Sequence, residues 1–133
     1  MPRTARHTVE FSAEGTTWTA IFGHEHFDPP FRTPKGLAIC HQTDVDIFPA
    51  DATGKPFGGV ARCSIKDWYN WRVGIKLAFE RALTAMGFAT EVKLAGKPTF
   101  IPLDRQKWGE FHHAFYTEMR NRPSTQPNGR GLK

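Results

Sequence analysis

The chain has 133 residues, a formal net charge of +5 and two cysteines. This bounds it to one domain, able to bury a core without staples and too poor in cysteine for a disulfide framework. No apolar run is long enough for a membrane span or resembles a signal peptide, so a cytosolic protein is the expectation. The basic excess favours anionic partners, but part of it sits at the ends, in Arg3 and Arg6 and in Arg120, Arg122, Arg130 and Lys133. The middle of the chain is nearer neutral, which argues against one continuous basic stripe for nucleic acid.

Taken in order, residues 1–6 read as a loose basic arm. His7–Ser12 alternates, with Val9 and Phe11 on one face, and predicts a strand. Ala13-Glu14-Gly15 turns, and Thr16–Gly23 returns with Trp18, Ala20 and Phe22 on one face. His24–Lys35 carries Pro29, Pro30 and Pro34, which break a regular ladder and predict an ordered loop or a sheet edge. Gly36–Phe48 resumes strand character, with Leu37, Ile39, Val45 and Ile47 opposite Gln42, Asp44 and Asp46. A turn with Thr53-Gly54-Lys55 at its tip leads to a strand over Phe57–Ser64, giving a second hairpin.

A helix of some twenty residues is expected next, with Ser64 or Asp67 as its N-cap. Trp68, Trp71, Ile75, Ala78, Phe79, Ala82 and Met86 share its apolar face, Val73 and Leu77 lie opposite, and Gly87 suits the C-terminal cap. Phe88–Leu94 reads as a short strand and Ala95–Pro98 as a turn. Asp104 caps a last helix whose apolar face is Trp108, Phe111, Phe115 and Met119, with Leu103 and Trp108 as a hydrophobic staple. Residues 121–133, with two prolines and two glycines, read as a disordered basic tail. The expected fold is α+β: a curved antiparallel sheet of about five strands packed against two helices in the C-terminal half, as a single domain over residues 1–120.

Several groups carry candidate chemistry. His24 and His26 point to one face of a strand and could ligate a metal with His41, His112 or His113, but no zinc-binding spacing supports this. Asp44 and Asp46 share a strand face, where a solvated surface is the simpler reading than an acid–base pair. No nucleophile elbow, P-loop or dinucleotide fingerprint is present, and no catalytic residue, metal or cofactor is assigned. The strongest group is Arg62, Trp68, Tyr69, Asn70, Trp71 and Arg72. Arginine forks bind phosphate, aromatic faces stack on bases, and a helix start favours an anion. Trp68 and Trp71 have core spacing, which leaves Arg62, Tyr69, Asn70 and Arg72 for a ligand. Cys40 and Cys63 read as buried free thiols.

The run A-R-C-S-x-x-D-(x)6-G-(x)3-A-x-x-R-A-L, from Ala61 to Leu83, resembles a strand-to-helix signature of small bacteriophage accessory proteins. Over residues 36–120 the layout is similar to the Thoeris anti-defence sponge proteins of phages. The resemblance implies an oligomer that binds and sequesters a cyclic nucleotide immune signal without cleaving it, at sites near subunit interfaces. It carries over Arg62, Asn70, Arg72 and Arg81 as polar contacts, with Phe57 and Tyr69 as stacking residues. In an oligomer, Tyr116 and Arg120 are placed to reach a neighbouring copy's site. The alternative is a nucleic-acid-binding or anti-CRISPR-like inhibitor that uses the basic ends.

Overall fold

The computed structural model describes residues 3–50, 55–64 and 70–121. The turn tip at 53–54, the residues 65–69 that include Asp67, Trp68 and Tyr69, and the tail 122–133 lie outside the described residues. The elements are β1 (Arg3–Ala13), β2 (Thr16–Arg32), β3 (Ala38–Pro49), β4 (Phe57–Ser64), α1 (Trp71–Ala85), β5 (Ala89–Leu94), β6 (Lys97–Pro102) and α2 (Arg105–Asn121). The fold is α+β, with the helices in the C-terminal half. Its strands form an open antiparallel sheet ordered β1-β2-β3-β4 and a separate hairpin of β5 and β6.

Alternation sorts the main sheet into two faces. Val9 and Phe11 of β1, Ala20 and Phe22 of β2, Val45 and Ile47 of β3 and Ala61 of β4 are buried together. Against them lie Ile75, Ala78, Phe79, Ala82 and Leu83 of α1 and Phe111 and Phe115 of α2. The Phe79 and Phe115 rings stack at 4.2 Å, and Phe11 meets Phe79, Phe111 and Phe115 edge-on within 6.1 Å. Such aromatic pairs add about 0.5–1.5 kcal/mol each beyond simple burial. The opposite face of the sheet bears Thr19, Glu25, Gln42, Asp44, Asp46 and Arg62, and no described element covers it.

Helix α1 reaches the sheet by close backbone approach. A Cβ on Gly59 would collide with the Ala78 carbonyl oxygen and lie 2.6 Å from the Ala82 nitrogen. A Cβ on Gly74 would lie 2.6 Å from Thr43 Oγ1. The helix ends as the sequence predicts. Gly87 adopts φ +90°, its N–H donates to the Thr84 carbonyl at 2.9 Å, and the Phe88 N–H donates to the Leu83 carbonyl at 3.1 Å. Asp104 caps α2 by accepting from the Lys107 N–H at 3.1 Å.

Several boundaries differ from expectation. Arg3–Arg6 is strand rather than a loose arm, because the long β2 offers ladder partners as far as His26. Strand β2 runs on through Pro29 and Pro30 to Arg32, with the pairing register shifting between His26 and Phe31. Helix α1 starts at Trp71 on an Asn70 cap, not at Ser64 or Asp67; Ser64 closes β4 instead. Lys97–Pro102, unassigned beyond its turn, pairs with β5. Leu103 is 66% exposed, and Trp108 packs on Phe100 at 5.9 Å, so the expected staple gives way to a hairpin contact. Val73 is exposed, whereas Leu77 packs against the core. Cys40 and Cys63 are only half-buried rather than buried. Asn121 closes α2 rather than opening the tail.

Candidate functional site

Arg62 lies near the end of β4, directly opposite Gln42 of β3 on the uncovered face. Its Nε donates to Gln42 Oε1 at 2.9 Å, and its guanidinium stands 5.6 Å from the centre of the Phe31 ring. Phe27 meets Phe31 edge-on at 4.9 Å. Gln42 Nε2 in turn donates to Glu25 Oε1 at 3.5 Å. Two adjacent strands and the far end of β2 thus hold one planar cation through an amide and a ring. Its two Nη groups make no hydrogen bond among the described residues.

The start of α1 is arranged differently. Asn70 Oδ1 accepts from the Arg72 N–H at 2.9 Å and the Val73 N–H at 3.4 Å. The cap therefore satisfies two of the backbone donors that a helix start would otherwise offer to an anion. Arg72 is exposed and lies over the half-buried Trp71 ring at 5.5 Å. Arg62 is on the open face of the sheet and α1 packs on the covered face, so Arg62 and Arg72 do not share a face. Tyr69 lies outside the described residues.

Arg81 has intramolecular partners. Its Nε and Nη2 donate to Glu91 Oε1 and Oε2 at 3.0 and 2.7 Å, and its Nη1 donates to the Val60 carbonyl at 2.8 Å. This bidentate pair ties α1 to β5 and to the free edge of β4. Beside it lies a groove of about 640 Å³, lined by Gln42, Asp44, Asp46, the backbone of Gly58, Gly59 and Val60, Thr84 and Glu91. Burial raises the Asp44 pKa; Arg6 opposes that shift, while Glu25 and Asp46 add to it. Phe57 stands half-exposed at the start of β4, and Arg120 near the end of α2 donates to Thr117 Oγ1 at 3.4 Å.

The histidines do not converge. His24 is buried, 3.1 Å from Thr43 Oγ1 and stacked on His7 at 5.3 Å; burial, then the neighbouring His7, lowers its pKa to about 4. His26 instead stacks on His41 at 4.7 Å, and burial followed by His26 lowers the His41 pKa. Among the described residues no three His, Cys, Asp or Glu side chains form a group able to hold a metal. His112 Nε2 lies 3.2 Å from Glu80 Oε2, with Lys76 Nζ 3.0 Å from Glu80 Oε1. This charged cluster pins α1 to α2.

Phe31, Gln42 and Glu91 join the site through the fold alone, since nothing in their own sequence neighbourhoods marks them as candidates. Phe31 follows two prolines that conceal a continuing strand, and Gln42 and Glu91 are polar residues alternating in ordinary strands. A pairing of Gln42 with Arg62 follows only from the β3–β4 register. No protein-family model, curated protein or solved structure matches the chain.

Proposed function

We propose that the protein binds a phosphate-bearing nucleotide and holds it without chemical change, with Arg62 as the anchor. Following the resemblance to the phage sponge proteins, the ligand is a cyclic nucleotide immune signal and the protein acts against host defence in the host cytosol, as a homo-oligomer. The observation that carries this reading is the Arg62 guanidinium, fixed by Gln42 at 2.9 Å and set beside the Phe31 ring at 5.6 Å. A planar fork held in place loses little freedom on meeting a phosphate, and an adjacent ring offers a stacking surface. Arg72 with Trp71 supplies a second cation–ring pair at the start of α1. The acidic lining of the neighbouring groove favours the Phe31 end of Arg62 over the groove as the phosphate seat.

Binding rather than turnover is favoured by the state of the ionisable groups. Glu80 and His112 are engaged with each other, and Asp44 and Asp46 lie on an open strand face. Incubation with cyclic dinucleotides, cyclic trinucleotides and cyclic ADP-ribose isomers, followed by heat denaturation, tests the reading. The expected result is saturable binding and release of the ligand intact. A cleaved product would make the protein an enzyme. Binding only to oligonucleotides, falling steeply with salt, would support the nucleic-acid alternative instead.

A further inference from the structure

Among the described residues, strand β4 pairs with β3 along one side only. The Val60 carbonyl accepts from Arg81, so it points away from β3. In an antiparallel ladder this orientation alternates, which places the backbone groups of Gly58 and Arg62 on the same free edge. Helix α2 packs on β1 through the buried face of the sheet. In the hairpin, the Leu103 N–H donates to the Phe88 carbonyl at 2.8 Å. Alternation from that pair turns the backbones of Pro98 and Pro102 outward on β6, where proline blunts strand addition. The described edge of β4 has no proline, and Gly58 and Gly59 leave its first half short of side chains.

This edge borders the groove beside Arg81. The groove is acidic. Glu91 is balanced by Arg81. Asp46, by contrast, leans over Gly58: its Oδ1 lies 3.4 Å from where a Gly58 Cβ would stand. Asp44 lies opposite Val60 on the same face. Val60 itself is 39% exposed, an aliphatic contact beside the carboxylates.

We infer that the free edge of β4 is a docking edge for an extended, basic segment of a partner protein, which adds as a fifth strand. Backbone pairing to Gly58, Val60 and Arg62 supplies the affinity. Selectivity comes from a Lys or Arg opposite Gly58, meeting Asp46, and an aliphatic residue two positions away, against Val60. The period of two places both side chains on the open face. Arg81 gives up its bond to the Val60 carbonyl as the strand arrives and keeps its pair with Glu91. This surface is separate from the Arg62 side chain's proposed ligand contact and does not depend on it.

The probe is a labelled peptide with the repeat Lys-Thr-Val-Thr, which puts Lys and Val two positions apart on one face, followed by fluorescence anisotropy. Saturable binding is expected, together with slowed amide exchange along β4. An Asp46→Asn variant, altered at an exposed residue, should weaken binding about tenfold. Val60→Pro removes an outward N–H without touching the β3 ladder, and should abolish binding while the protein keeps its circular dichroism spectrum. Of two peptides N-methylated at one or the other alternate set of amides, the one whose blocked amides face β4 should fail with the unaltered protein and the other should bind, which guards against misfolding of the Val60 variant. No saturable binding, equal binding of the methylated peptides, or unchanged affinity in Asp46→Asn would overturn the proposal.

Discussion

Glu80 on α1 and His112 on α2 meet at 3.2 Å, while His112 Nδ1 lies 2.7 Å from the Trp108 carbonyl oxygen. Both ring nitrogens therefore face oxygen acceptors. Burial alone would raise the Glu80 pKa, but hydrogen bonds from His112 and Lys76, with their charges, outweigh it and lower it. A lowered carboxylate pKa stabilises the fold above the unfolded value and loses that contribution as pH falls through the folded value. Glu80→Gln should thus cost about 2 kcal/mol at neutral pH. Urea denaturation should show the gap from the unaltered protein shrinking as pH falls below the ordinary glutamate value of 4.5. A gap that stays constant into acid would contradict the pairing.

A second acid response lies at higher pH. His24 is 5% exposed, and its pKa is lowered from 6.5 to about 4 by burial and by His7. The unfolded chain binds this proton first, so stability is lost as pH falls from 6.5 toward 4. The full shift corresponds to about 3 kcal/mol. His24→Gln keeps a hydrogen-bonding group near Thr43 and should flatten that part of the stability profile, leaving the lower Glu80 window in place. An unchanged slope between these limits would show that His24 is not the group responsible.

The approach of α1 to the sheet rests on Gly59. A Cβ there would collide with the Ala78 carbonyl oxygen, and backbone cannot move aside as a flexible side chain can. Gly59→Ala should destabilise the protein by about 1–3 kcal/mol, the usual range for overpacking. Gly87→Ala acts through its positive φ of 90° instead, and costs about 1 kcal/mol without moving α1. Chemical denaturation separates the two if the native-state tryptophan fluorescence, to which Trp71 contributes alongside Trp18, Trp68 and Trp108, changes only in the Gly59 variant.

The alternation of Val9 with Phe11, of Ala20 with Phe22 and of Val45 with Ile47 made the sheet's buried face legible. So did the helical spacing of Ile75, Ala78, Phe79 and Ala82. Gly87 and Asp104 marked their helix ends because cap chemistry is local. Strand β6 was hidden by Pro98 and Pro102, which are tolerated because their nitrogens face away from β5. The start of α1 was misplaced because Ser64, Asp67 and Asn70 are all good caps, and pairing of Ser64 with Ile39 keeps the first of them in β4. At the candidate site, Arg62 and Arg72 were close in sequence. A strand and a helix on opposite sides of the sheet then separated them. The Gln42, Phe31 and Glu91 partners depend on register and tertiary packing, which no local pattern encodes.

The central claim concerns Arg62, and a thermal-shift comparison of the unaltered protein with Arg62→Ala tests it most directly. The panel is cyclic dinucleotides, cyclic trinucleotides and cyclic ADP-ribose isomers. A bound ligand at 100 times its dissociation constant stabilises the fold by about 2.7 kcal/mol. Loss of charge-assisted hydrogen bonds should weaken binding about 10- to 100-fold in the variant, with its ligand-free stability little changed. A rise in melting temperature for at least one ligand, much reduced in Arg62→Ala, is the predicted result. No shift with any of them, or an equal shift in both proteins, would contradict the assignment.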